Sequence, residues 1–253
     1  MKTTDNTILI TGGTSGIGLG LALRLQEAGN KVIITGRRTT LLDQIAADHP
    51  GIDTIVLDVT DPDSIAHARE TVTSTHPDVN VLVNNAGIML PEDLGNPDTR
   101  SLQDALRIAE DTVTTNLLGP IRLVHALLPH LAAKDDAAII NVSSGLAFVP
   151  LPATPTYSAT KAAIHSFSES LRVQLADTSI RVIELVPPAV RTTLMGQQDD
   201  ERAMPLEDFL TEAMTLLQTQ PDATEILVEP VKFLRNAPAN GTYGKILELL
   251  SGH

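Results

Sequence analysis

The chain has 253 residues and contains no cysteine and no tryptophan. Without thiols there is no disulfide staple, no thiolate metal ligand and no cysteine nucleophile. Positive charge is scarce as well: 18 Lys and Arg stand against 31 Asp and Glu, a net charge of −13. Nucleic acid and anionic membranes both call for a cationic footprint, so neither is an expected partner. No apolar run approaches the roughly 20 residues that cross a bilayer. The opening MKTTDNTILI enters a strand pattern almost at once, leaving no room for a secretion signal. A soluble, cytoplasmic protein is the expectation. Only two tyrosines occur, Tyr157 and Tyr243, so a tyrosine in a conspicuous setting carries weight.

What is present is a globular composition, 42% apolar and 19% charged, in a length that suits one large α/β domain spanning 1–253. The stretch around residues 7–25 sets the plan. Ile8-Leu9-Ile10 reads as a strand, Gly12, Gly13, Gly16 and Gly18 follow, and a helical pattern runs through Leu19, Ala22, Leu23 and Leu25. Glycines allow a sharp turn and a close ligand approach, and the following helix N-terminus suits a pyrophosphate. The Gly-x3-Gly-x-Gly spacing, enclosing Thr14, Ser15 and Ile17, is one residue longer than the usual dinucleotide fingerprint. It also lacks the Gly-Lys-Ser/Thr of a P-loop.

Further strand patterns fall at 31–35, 52–57, 79–83, 138–142 and 180–186, with a short last strand at 245–250. Helical patterns separate them, including 102–131, 157–175 and 224–237, and Pro120 should kink the first of these or mark a junction. Val/Ile/Leu-rich strands alternating with helices predict an α/β fold: a three-layer, Rossmann-type doubly wound parallel sheet of about seven strands. Ligands of such sheets lie beyond the carboxyl ends of the strands. Residues 12–18, Asp58, 84–87, 143–144 and 187–192 all follow strand ends and should converge there.

Where an acid after the second strand would favour NAD, this chain has Gly36-Arg37-Arg38. An arginine fork there can take a 2′-phosphate, so NADP(H) is preferred and NAD(H) remains possible. Arg38 also reads as a solvated helix start. Asp58 with Val59 can receive adenine, or Asp58 can simply sit near a helix N-terminus. Asn84-Asn85-Ala86-Gly87 reads as a turn first and a cofactor contact second. Tyr157 and Lys161, four apart on one helix, share a face. An ammonium beside a phenol favours phenolate, and lowering the phenol's pKa by about 3 units takes roughly 4 kcal/mol. Ser144 can hold a substrate oxygen beside that phenol. Asn116 either satisfies carbonyls freed near Pro120 or holds a water on a path to Lys161. No metal site is expected.

In combination, Thr11-Gly12-x3-Gly16-x-Gly18, Asn84-Asn85-Ala86-Gly87, Ser144 and Tyr157-x3-Lys161 resemble the classical short-chain dehydrogenase/reductase family over almost the whole length. The thirteen-residue step from Ser144 to Tyr157 matches the family spacing and selects Ser144 over Ser143. The resemblance implies a seven-stranded parallel sheet, a nicotinamide cofactor and a homodimer or homotetramer. It also implies a tetrad of Asn116, Ser144, Tyr157 and Lys161, with Tyr157 as acid/base in pro-S hydride transfer between NADP(H) and a carbonyl/alcohol pair. By the same resemblance Ile17, Asn85, Ala86 and Gly87 line the dinucleotide, Lys161 bonds the nicotinamide ribose, and Val190 and Thr192 contact carboxamide and phosphate. Pro188 replaces the family's glycine after Pro187, which should stiffen the loop beneath the nicotinamide. An apolar substrate pocket is expected from Leu146, Phe148, Val149, Leu151, Leu194, Met195, Met204, Leu206 and Phe209, under a lid at about 193–219. The competing reading is a non-catalytic NADP(H)-binding regulatory or assembly protein, which would have no need of the Ser144-Tyr157-Lys161 set.

Overall fold

The computed structural model describes residues 2–96 and 101–252. Its strands are β1 (Thr7–Ile10), β2 (Lys31–Gly36), β3 (Ile52–Val56), β4 (Val81–Asn84), β5 (Ala137–Val142), β6 (Ile180–Val186) and β7 (Glu225–Leu227). They form one sheet in the order β3-β2-β1-β4-β5-β6-β7, with every neighbouring pair parallel. Strand order reverses between β1 and β4, which opens a crevice above their carboxyl ends.

Alternation along each strand builds two apolar layers. Ile8, Ile10, Val32, Ile34, Val81 and Val83 pack under α1 (Gly16–Glu27), α2 (Thr39–Asp48) and α7 (Leu206–Thr219). Leu9, Ile33, Leu82 and Ile139 pack under α3 (Pro62–Thr75), α5 (Gly119–Ala132) and α6 (Pro155–Gln174). Both faces of the strands are thus covered, as their near-continuous apolar runs require. Asp61 caps α3, its carboxylate accepting the Asp63 N–H at 2.9 Å, with Pro62 in the first turn.

The expected 102–131 helix is α4 (Leu102–Val113) and α5 joined by a π-helical turn, Thr114–Leu118. Pro120 lies in the first turn of α5, where a missing N–H is tolerated, so the expected junction falls just before it.

Two expectations are corrected. Residues 245–250 are no strand but part of α9 (Tyr243–Leu250), because Ile246, Leu247 and Leu250 form a helical stripe against Val149, Leu234 and Ala237. The seventh strand is instead Glu225–Leu227, inside the stretch expected to be helical over 224–237. Only α8 (Lys232–Arg235) and a short 3-10 turn, Glu229–Val231, are helical there. Three residues on the free edge of β6 are too few to display a period of two.

Candidate active site

The β1–α1 turn is built for close approach. Gly12 has φ +64, and a Cβ on it would sit 2.8 Å from the Ala86 backbone; Gly16, at φ +53, faces the Thr192 side chain. Ser15, the N-cap of α1, makes no side-chain cap bond, and no acid occupies the first turn. The first N–H groups of α1 are therefore left for an outside acceptor, which is the provision a pyrophosphate needs. The turn is latched to the one after β4. Thr11 Oγ1 accepts from Asn85 N at 3.0 Å and Ala86 N at 3.1 Å, and Asn85 Nδ2 donates to the carbonyls of Thr11 at 2.9 Å and Gly12 at 3.1 Å. Asn85 thus spends its side chain on the scaffold and offers Ala86 and Gly87 beside it.

Arg37 and Arg38 are exposed between β2 and α2, and neither side chain donates a hydrogen bond among the described residues. Asp58 after β3 lies in the field of Arg37. Its carboxylate stays below the usual range: burial acts against this, while the Thr60 hydroxyl at 2.7 Å, the Thr60 N–H at 2.9 Å and Arg37 outweigh it. Val59 is buried against Gly119 at the start of α5. These groups, with the uncapped helix, fit a dinucleotide along the edge from β3 to β1.

The expected reactive set of Ser144, Tyr157 and Lys161 lies farther along the same edge, just after β5 and on α6. Ser144 lies two residues past the end of β5 and accepts the Leu146 N–H at 3.1 Å, while Gly145 N donates to the Pro187 carbonyl at 2.9 Å. Tyr157 and Lys161 occupy successive turns of α6, the ammonium 5.5 Å from the phenol ring centroid. Lys161 Nζ donates to the Val142 carbonyl at 2.8 Å. Burial pushes the Tyr157 phenol up to about 12, with its hydrogen bond to Ser144 acting the other way. Burial draws Lys161 down to about 8, opposed by the Glu184 carboxylate. The phenol's expected downward shift is absent from this arrangement because desolvation outweighs every neighbour.

Asn116 sits in the π-helical turn, almost fully buried. Its Oδ1 accepts the Ile88 N–H and its Nδ2 donates to the Ile88 carbonyl, both at 2.8 Å, with Thr160 Oγ1 at 3.4 Å. It satisfies backbone groups, though of the loop after β4 rather than of its own helix. Through Thr160 it also touches the helix carrying Tyr157.

Pro187, Val190 and Thr192 follow β6, and Val190 bridges to Met204. The expected lid at 193–219 divides here. Residues 206–219 are α7, whose Phe209 and Leu210 belong to the core, so α7 leaves the expected lid and only about 193–205 remains of it. Val149 is likewise core, and Phe148 packs edge-on against His165, at 4.7 Å between centroids. Phe148, Val149 and Phe209 thus drop out of the expected pocket wall. A cavity near the start of α6 is lined instead by Pro91, Glu92, Leu94, Pro152, Ala153 and Pro155, among others.

Two groups escaped the sequence reading. Glu92 accepts the Thr156 N–H at 2.9 Å and the Thr156 hydroxyl at 2.7 Å, capping α6, whose own N-cap residue Thr154 makes no side-chain cap bond. Arg191 closes the neck of the 193–205 segment, bonding the carbonyls of Asp200 at 3.1 Å, Glu201 at 3.1 Å and Ala203 at 3.0 Å. Arg191 had a signal, a cation between two expected contact residues; Glu92, far from Thr156 in sequence, had none.

A family model described as short chain dehydrogenase matches residues 6–203. Among similar proteins is an uncharacterized oxidoreductase, DltE, of Bacillus subtilis, 40% identical over 99% of this chain and 98% of its own length. A short-chain dehydrogenase from Burkholderia cenocepacia, solved with NADP, superposes with a TM-score of 0.80 at 24% identity, covering 98% of this chain and 99% of its own. One from Burkholderia phymatum, solved with NAD, gives 0.79 at 19% identity, covering 95% of each chain.

Proposed function

Since the chain belongs to the short-chain dehydrogenase/reductase family, and is therefore an oxidoreductase using a nicotinamide dinucleotide, we propose that it prefers NADP(H) and reduces a carbonyl of an apolar small molecule with Tyr157 as proton donor. The observation that carries this reading is the buried Ser144-Tyr157-Lys161 cluster at the same sheet edge as an uncapped, glycine-rich helix start. When bound, the cofactor supplies the hydride; the chain supplies the proton and the geometry.

Tyr157 holds its proton at neutral pH, since burial sets it near 12. It is thus ready to donate to a carbonyl oxygen, with Ser144 positioning that oxygen. Working in the opposite direction would require phenolate, and bringing a pKa of about 12 down to about 7 takes roughly 7 kcal/mol of new interaction. Proton donation leaves the same phenolate, so the raised pKa sets not a direction but the stabilisation that the bound cofactor and Lys161 must supply. Lys161 supplies the nearest positive charge to the phenol and the donor for a nicotinamide ribose. Asn116 fixes the loop after β4 and, through Thr160, the helix beneath Tyr157.

The NADP(H) preference rests on Arg37 and Arg38, whose donors are uncommitted, following Gly36 in place of an acid. Replacing Arg37 with alanine should weaken NADP+ binding about ten- to a hundredfold, the worth of a charge-assisted contact, and leave NAD+ binding unchanged. Tighter NAD+ than NADP+ binding by wild type would refute the preference. The enzyme reading is tested by NADPH oxidation with a panel of ketones, quinones and diketones, comparing wild type with Tyr157→Phe. Cofactor binding without any Tyr157-dependent reduction would favour the non-catalytic binder instead. Assembly as a homodimer or homotetramer is expected, and a direct mass measurement distinguishes them. No helix among the described residues is long and apolar enough to cross a membrane.

A further inference from the structure

The turn that carries Ser144 is held at its near end, its middle and its far end. It is a 3-10 turn, Gly145–Ala147, with Ser144 as N-cap, and it closes where the Phe148 N–H donates to the Gly145 carbonyl at 3.1 Å. Its near end is tied to the chain after β6 by the Gly145 N–H on the Pro187 carbonyl. Its middle is blocked from behind, since a Cβ on Gly145 would lie 2.6 Å from Leu234 and 2.8 Å from Val231. Its far end is the Phe148 ring, which two side chains meet. His165 of α6 stands edge-on to it, and the Arg235 guanidinium lies over it, 4.5 Å from the centroid. Both are themselves anchored. His165 Nδ1 meets Glu184 Oε2 at 2.8 Å, while Arg235 donates Nε to Glu225 Oε2 at 2.9 Å and Nη2 to Oε1 at 3.1 Å. A guanidinium fork engaging both oxygens of one carboxylate is fixed in orientation as well as in place.

We propose that Arg235 is a positioning residue for Ser144: its guanidinium, locked to Glu225 and laid over Phe148, fixes the far end of the turn and so the place of the Ser144 hydroxyl beside Tyr157. Arg235 acts through the ring, which a planar cation attracts and orients. The Glu225 and Arg235 side chains are 17% and 31% exposed, so solvent screens this pair less than a surface ion pair. Leu234 and Arg235 are successive residues of α8; the first stops Gly145 and the second grips Phe148, so one short helix braces the middle and the end of the turn. The seat of α8 is set by α9, whose Ile246, Leu247 and Leu250 pack against Leu234 and Ala237. His165 lies on the stripe of α6 that carries Tyr157 and Lys161, so the same ring also joins the Ser144 turn to the helix of its phenol partner. A hydrogen bond tolerates only a few tenths of an ångström of drift. Slack at Phe148 is therefore felt at the Ser144 hydroxyl.

The catalytic meaning of this brace rests on the role given to Ser144 above; the brace itself can be read without substrate. The chain has two tyrosines, so labelling with 13C at Cζ gives two resonances, and Tyr157→Phe assigns that of Tyr157. Ser144→Ala marks where that resonance moves once the phenol loses its hydroxyl partner. Arg235→Ala should carry it towards the same position, and Arg235→Lys, which keeps a cation but not the fork, should carry it less far. Arg181→Ala, which removes the ion pairs to Asp136 and Asp222 near the start of β6, should leave it in place. An unmoved resonance in folded Arg235→Ala overturns the proposal and leaves Arg235 a structural cation. If that variant does not fold, Phe148→Leu, which spares the Arg235–Glu225 pair, should give the same movement, and none there overturns it equally. In turnover, Arg235→Ala should lower kcat about tenfold with KM for NADPH within about twofold, and Arg235→Lys should recover most of the loss. A moved resonance with reduction that survives Tyr157→Phe would refute the enzyme mechanism while leaving the brace intact.

Discussion

Replacing Glu92 with alanine should destabilise the chain from a loop that has no part in the sheet. The carboxylate takes two donors at the start of α6, the Thr156 N–H at 2.9 Å and the Thr156 hydroxyl at 2.7 Å. A side-chain cap contributes roughly 0.5–2 kcal/mol, and a negative charge near a helix N-terminus adds about 0.3–1 kcal/mol. Glu92 is only half-buried, so solvent screens part of the second contribution. The expected loss is about 1–2 kcal/mol for Glu92→Ala and about half of that for Glu92→Gln, which keeps an acceptor but not the charge. Because the chain has no tryptophan, urea unfolding is best followed by far-UV circular dichroism. The midpoint should fall with the slope unchanged. Combining Glu92→Ala with Thr156→Ala should cost less than the sum of the single changes, since the two share a bond. Tyr157 follows Thr156 directly, so turnover should drop several-fold while NADP+ affinity, set at the other end of the site, holds. A Glu92→Ala midpoint corresponding to less than about 0.3 kcal/mol would refute the cap.

Two further changes probe the same region. Asn116→Ala leaves the Ile88 N–H and carbonyl without their partner, and at about 1–3 kcal/mol for each unsatisfied group a loss of about 2–6 kcal/mol is expected in urea unfolding; a neutral result would mean the loop re-pairs elsewhere. For Lys161, the folded value near 8 lies below the ordinary 10.5, so the folded chain releases this proton first as pH rises. The cost of burying the ammonium is therefore full below about pH 8 and fades towards 10.5. The stability of wild type relative to Lys161→Met should accordingly rise by about 3 kcal/mol from pH 7 to 10.5, and a flat difference would contradict the burial.

Legibility in the sequence followed chain locality. The glycine turn, the Tyr157–Lys161 spacing and the strand-end positions of Ser144 and Asn85 are local patterns, and the fold brings them to one edge. Boundaries failed where tertiary context chose between periods: 245–250 became helical because Val149 and Leu234 offered an apolar seat, and Glu225–Leu227 became a strand because β6 had an open edge. Phe209 and Val149 look like pocket residues as letters but are core residues in space. Asn84, Asn141, Glu184 and Glu225, set side by side across β4 to β7, had a faint signal. Asn141 in AIINV and Glu184 in VIELV interrupt otherwise apolar strands, and a polar residue in a doubly covered strand requires a partner. What the letters lacked was the register that aligns them.

The knot made by Arg191 bears on how freely the segment it ties can vary. Main-chain bonds from Arg191 N to Met204 O and from Met204 N to Ala189 O, each 2.9 Å, close the same neck that the guanidinium ties. The intervening residues thus form a cassette whose two ends meet on a fixed fastening, outside both apolar layers. Loop closure there is already settled by the fastening, so altering the length or chemistry of the cassette demands little of the rest of the chain. These dozen or so residues can change in length and composition while the sheet, the glycine turn and the Tyr157 helix stay as they are.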